Sequence, residues 1–116
     1  LKLSRDLCLF NSDAKTIIFN SIKSELHPTN ELIKINFDQM IVNILNELYK
    51  KDIQSVIIEG GRKTLDSFII TQLWDEARVF VANKQLVDGI KAPKILGKIL
   101  SNEEVDSDHL KIIVND

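Results

Sequence analysis

A carboxylate, two glycines and a polar, cationic run stand in succession at Glu59, Gly60, Gly61, Arg62, Lys63, Thr64, Leu65, Asp66 and Ser67. Each residue type contributes something a ligand could use. A carboxylate accepts hydrogen bonds from hydroxyl or ring N–H groups. Glycines lack Cβ atoms, so a ligand can approach the main chain closely. A helix that opens just beyond them presents unpaired N–H groups and the positive end of its dipole, which favours phosphate. Three β-branched residues, Val56-Ile57-Ile58, lead into the carboxylate and read as a buried strand. In open α/β sheets, ligands sit beyond the carboxyl ends of strands.

Every one of these residues also has a plain structural reading. Glu59 could close its strand in an internal ion pair or a helix-capping contact. Arg62 and Lys63 carry the charge opposite to the one the dipole prefers, which costs each a few tenths of a kcal/mol at an exposed helix start. An anionic ligand would reverse that penalty. Thr64 and Ser67 place hydroxyls one helical turn apart, a common arrangement without function. A Gly-Gly turn lacking the full Gly-x-Gly-x-x-Gly is not a Rossmann fingerprint.

Other reactive residues are scattered. His27, before Pro28 in a polar loop, and His109, after an acidic run, read as surface histidines. Neither has a partner that would make a nucleophilic triad. Cys8 reads as a small apolar filler. Trp74 reads as packing or as a dimer contact. The run Glu103-Glu104-Val105-Asp106-Ser107-Asp108 fits no calcium loop and reads as a solvated loop. No metal site is expected.

The elements that must position the site follow from periodicity. Thr16-Ile17-Ile18-Phe19 predicts a short buried strand after an Asn11-Ser12-Asp13 turn, and Leu1 to Leu9 alternate weakly. After the loop His27–Asn30, a second strand is expected over Leu32–Phe37, with Asp38 as N-cap of the next helix. Met40, Ile41, Ile44, Leu45, Leu48 and Tyr49 recur at helical spacing, and Lys50 and Lys51 suit that helix's negative end. Val56-Ile57-Ile58 lacks alternation, as a central strand covered on both faces does. Leu65, Phe68, Ile69 and Leu73 mark a second helix; Ala77–Ala82 and Leu110–Val114 read as strands around a loop at Asp88–Pro93. Strands alternating with helices predict an α/β sheet with parallel crossovers and an antiparallel C-terminal part.

Composition bounds the function. The 116 residues amount to one domain, expected to span 1–116 as a single unit. With 44% hydrophobic and 28% charged residues and a net charge of −2, no global basic field points to nucleic acid or anionic membrane. No apolar run approaches the ~20 residues that cross a bilayer. One cysteine fits a reducing, cytoplasmic setting. The chain begins at Leu1, and its first residues read as the interior of a longer protein.

The ordered set Val56-Ile57-Ile58-Glu59-Gly60-Gly61, Leu65 and Phe68, Leu73–Ala82, and Gly89-Ile90-Lys91-Ala92-Pro93 resembles one family. It is the pyrimidine reductase of riboflavin biosynthesis, the C-terminal domain of the bifunctional deaminase/reductase RibD. Leu1-Lys2-Leu3, the Phe10–Asp13 turn and the Thr16–Phe19 strand fit as well. The chain departs from many relatives at Val87-Asp88-Gly89, which keeps one glycine where they carry two.

The resemblance implies a dihydrofolate-reductase-like α/β fold, a mostly parallel sheet flanked by helices, with antiparallel C-terminal strands, dimerising through sheet-edge elements. It implies NADPH-dependent reduction of 5-amino-6-(5-phosphoribosylamino)uracil to the ribitylamino form. Glu59 would contact substrate; Gly61, Arg62, Lys63, Thr64, Leu65, Asp66 and Ser67 would hold the nucleotide. The family also implies an absent upstream part of the reductase domain and a zinc deaminase domain before it, so that these residues alone are expected to be inactive. No Cys-x-x-Cys or His-x-Glu pattern occurs here. A reductase of the same fold acting on another heterocycle such as a pterin, or a non-catalytic α/β oligomerisation module, are the alternatives.

Overall fold

A computed structural model describes Ser4, residues 7–11 and residues 13–115. Among these residues the chain is mixed α/β, with two three-stranded sheets and two α-helices, and it divides into two compact units between Ser55 and Val56.

The first unit holds β1 (Thr16–Asn20), β2 (Glu25–Leu26), β3 (Asn30–Lys34) and α1 (Met40–Tyr49). β3 lies in the middle, parallel to β1 and antiparallel to β2. Its Leu32 and Ile33 are buried, as are Ile35 and the α1 residue Ile41. Asn20 turns the chain out of β1. Its side chain is buried, and its Oδ1 accepts from the Ile22 and Lys23 amides at 2.9 Å each. Its Nδ2 donates to the Lys23 and Ile33 carbonyls at 3.0 and 3.3 Å, so the buried amide is satisfied on both sides.

Several expectations shift here. The second strand runs over Asn30–Lys34, two residues ahead of Leu32–Phe37, because Asn36 already turns the chain: its Oδ1 accepts from the Asp38 amide at 3.0 Å. For the same reason Asp38 is not the N-cap. Gln39 holds that position and makes no side-chain cap bond. Tyr49, expected on the apolar stripe, is 81% exposed at the stripe's edge in the last turn. Cys8 is exposed rather than a filler, on a 3-10 turn (Cys8–Phe10) that buries none of its residues. The weak alternation of Leu1 to Leu9 falls mostly outside the described residues.

α1 ends without glycine. Asp52 takes φ 58°, while the Ile53 amide donates to the Leu48 carbonyl and the Asp52 amide to that of Tyr49. This is a Schellman closure. Lys51 then reaches back to β3, its Nζ lying 2.7 and 2.8 Å from the two carboxylate oxygens of Glu31.

The second unit holds α2 (Arg62–Ile70), β4 (Glu76–Ala82), β5 (Lys98–Val105) and β6 (Asp108–Val114). β6 is central and antiparallel to both neighbours, with a register irregularity in β5 between Ile99 and Ser101. Ile113 of β6 and Phe68 of α2 are the buried apolar residues of this unit. α2 also ends in a Schellman closure, with Gln72 at φ 57° and the Leu73 amide on the Phe68 carbonyl.

Two expectations fail in this unit, and a third fails across both sheets. Val56-Ile57-Ile58 forms no strand among the described residues, and Ile57 is 86% exposed. A strand exists only through the N–H and C=O groups of its neighbours, and the strands of both sheets pair among themselves. The acidic run is not a loop: Glu103 and Glu104 belong to β5, Asp106-Ser107 is the turn with Asp106 at φ 55°, and Asp108 opens β6. Last, the sheets are not mostly parallel, since β1–β3 is the single parallel pairing among the described residues. No helix among those residues is long and apolar enough to cross a membrane.

Candidate functional site

The stretch from Glu59 to Ser67 lies within the second unit, and its local geometry follows from its glycines. Gly60 has φ 139°, a conformation that L side chains rarely adopt. Gly61 is the N-cap of α2, with φ −71° and ψ 165°. A Cβ built on Gly61 would meet nothing within 4 Å, so the main chain is bare at this point.

The first turn of α2 uses part of its hydrogen-bonding capacity internally. The Gly61 carbonyl accepts from the Thr64 and Leu65 amides at 3.0 and 3.3 Å. No side chain caps the helix. Among the described residues, the amides of Gly61, Arg62 and Lys63 therefore have no acceptor. Such N–H groups point outward along the axis, where the dipole is positive.

The side chains divide into committed and uncommitted groups. Arg62 Nε lies 3.1 Å from Asp66 Oδ2, an i,i+4 pair, and its Nη1 donates to the Lys91 carbonyl at 3.3 Å. Ser67 Oγ donates to the Lys63 carbonyl at 2.8 Å. Leu65 points its apolar side chain into partial burial, one turn before the buried Phe68. Glu59 and the ammonium group of Lys63 are exposed and, among the described residues, have no side-chain partner. The ion pair or capping contact that would have given Glu59 a purely structural task is thus missing among those residues.

Lys91 is the participant that the sequence did not reveal. It enters through its carbonyl, which no residue-type pattern can signal. The remaining reactive residues sit elsewhere. His27 does have a partner, Glu25, at 2.8 Å, but Glu25 belongs to β2 and His27 follows it, in the first unit. Lys23 pairs with the same carboxylate, and the hydrogen bonds from Lys23 and then His27 hold Glu25 down at about 2. His109 is exposed on β6. Trp74 buries its indole N–H without an acceptor among the described residues. A separate depression of about 650 Å³ opens at the carboxyl ends of β1 and β3, lined by Ser21, Ser24, Lys34, Ile35, Asn36 and Phe37.

The geometry at the α2 start suits an anion or a phosphate ester approaching bare backbone. A family model, that of the RibD C-terminal domain, matches residues 1–112. The chain belongs to the RibD C-terminal domain family. No curated protein matches it. Family membership makes this a reductase-type domain of the riboflavin pathway, and at the start of α2 in this RibD C-terminal domain three main-chain amides have no acceptor among the described residues.

Proposed function

We propose that this chain is part of an NADPH-dependent reductase that converts 5-amino-6-(5-phosphoribosylamino)uracil to its ribitylamino form. The observation that carries this reading is the uncapped start of α2, where three main-chain amides have no acceptor among the described residues, at a glycine whose Cβ position is open. Gly61, Arg62 and Lys63 would hold a dinucleotide's phosphates through their amides, with Thr64, Leu65, Asp66 and Ser67 shaping the same turn. Glu59 would accept hydrogen bonds from the sugar hydroxyls or pyrimidine N–H groups of the substrate. The bound nicotinamide supplies the hydride. The protein's part is to keep donor and acceptor carbons in register.

In this reading the two units act as one cytoplasmic reductase domain with a dihydrofolate-reductase-like fold. It works as a homodimer and follows a zinc deaminase domain in the full protein. Neither nucleic acid nor membrane is a partner.

Two substitutions in the full-length protein test the proposal. Gly61→Asp puts a preferred capping residue at a position with ordinary φ and free space, so α2 is expected to form as well as before. Its carboxylate takes up the free amides and repels phosphate, so NADPH binding is lost. Glu59→Ala is expected to abolish turnover while NADPH binding persists. Normal turnover and NADPH affinity in both folded variants would leave only the scaffold reading standing.

A further inference from the structure

Between β4 and β5 the chain runs from Asn83 to Gly97 without helix or strand. At its tip Leu86, Val87 and Ile90 are exposed, and between them stands Asp88-Gly89, the one place in the sequence where aspartate or asparagine precedes glycine. The Gly89 amide nitrogen lies 2.9 Å from Asp88 Oδ1. Gly89 has φ 156°, and a Cβ built on it would meet nothing within 4 Å.

We infer that Asp88 is a site of spontaneous succinimide formation and conversion to isoaspartate in the folded protein. The reacting atoms are already neighbours: Oδ1 is bonded to Cγ, and the Gly89 nitrogen points at that carboxyl group. Ring closure forms the Gly89 N–Cγ bond and breaks a Cγ–O bond of the protonated carboxyl. The amide hydrogen and the carboxyl hydroxyl leave together as one water. Hydrolysis returns that water: attack at Cγ restores aspartate, and attack at the Asp88 main-chain carbonyl carbon routes the backbone through the side chain. The net change is an isomerisation that adds a methylene to the main chain and consumes nothing.

Closure requires the backbone around Asp88 and Gly89 to rotate freely. The loop supplies this, since both residues are exposed and the Gly89 amide has no main-chain acceptor among the described residues. Two other aspartates followed by a small residue lack that freedom. Asp66-Ser67 is inside α2, and Asp106-Ser107 is the tight turn that closes β5 on β6. The longer backbone of isoaspartate would fall three residues before Lys91, whose carbonyl Arg62 holds.

The test is prolonged incubation of the folded chain in warm, mildly acidic buffer, then tryptic digestion. Isoaspartate in the Gln85–Lys91 peptide is read by fragmentation mass spectrometry and by an isoaspartate-specific carboxyl methyltransferase. The expected result is accumulation at Asp88 at a rate comparable to that of the free Gln85–Lys91 peptide, and several-fold faster than at Asp106. Asp88→Glu, which leaves Gly89 untouched, is expected to abolish it; Gly89→Ala is expected to slow it several-fold. Accumulation at Asp88 no faster than at Asp106, or far slower in the folded chain than in the free peptide, would overturn the proposal.

Discussion

Arg62 and Lys91, 29 positions apart in the sequence, are joined by a hydrogen bond of 3.3 Å from the guanidinium to the main-chain carbonyl. The same guanidinium is shared with Asp66, so one cation ties the start of α2 to the long loop after β4. Both Arg62 contacts are solvent-exposed, and exposed pairs contribute little to stability. Arg62→Ala is therefore expected to change unfolding free energy by no more than about 0.5 kcal/mol. If the α2 start holds a nucleotide through its amides, the variant keeps the Arg62 amide and loses only a nearby exposed charge, so NADPH affinity falls by about fivefold or less. Fluorescence titration of the full-length protein with NADPH, beside denaturant unfolding, reads the two effects separately. A large stability loss with unchanged affinity would make Arg62 a purely structural latch.

Gly97 precedes β5 where that strand meets the end of β6. A Cβ there would fall on the Val114 carbonyl oxygen, and a backbone oxygen inside a sheet cannot swing aside as a side-chain tip can. Gly97→Ala is expected to destabilise by about 1–3 kcal/mol, as overpacking does elsewhere. Thermal unfolding checks this, with Gly61→Ala as a control that meets open space and should cost only the loss of a better N-cap, about 0.5–1 kcal/mol.

The local parts of this architecture are legible in the residues, and the pairings are not. Met40, Ile41, Ile44, Leu45 and Leu48 mark α1, and Leu65, Phe68 and Ile69 mark α2, because a 3.6-residue stripe is written within one segment. Thr16–Phe19 reads as a strand for the same local reason. β5 is hidden: Ser101-Asn102-Glu103-Glu104 has neither alternation nor β-branched residues, and it is a strand because β6 lies beside it. Val56-Ile57-Ile58 shows the converse, with strong strand composition and no partner strand among the described residues. At the site, Gly60, Gly61 and the cations after them were visible. The Arg62–Lys91 bond was not, since a carbonyl is common to every residue.

Both helices close through a non-glycine residue in the left-handed region, where side chains are disfavoured by about 1–2 kcal/mol. Asp52 is the better tolerated of the two, because short acidic and amide side chains adopt that region more easily. Gln72 has no such advantage. Gln72→Gly is expected to raise stability by about 0.5–1 kcal/mol, the relief of strain being partly offset by the freer unfolded chain. Its main-chain carbonyl, which accepts from Asn115 Nδ2 at 3.2 Å, is retained, although the side-chain bond to Ile69 is lost. Denaturant midpoints at constant slope provide the check, and Asp52→Gly should gain less.

Acid sensitivity in the first unit should centre on Glu25. Hydrogen bonds from Lys23, then from His27, lower its carboxyl from 4.5 to about 2. A carboxyl held lower in the folded than in the unfolded chain contributes stability that is fully present above the unfolded value. That contribution is lost as pH falls toward the folded value, so the window runs from about 4.5 down to about 2. Glu25→Gln removes the titrating group while keeping its shape. Wild type is expected to be the more stable at neutral pH, with the difference shrinking steadily through that window until the curves meet. Unfolding free energies of both proteins measured across the acid range decide the matter, and parallel curves would show that the Lys23–Glu25–His27 cluster does not govern acid stability.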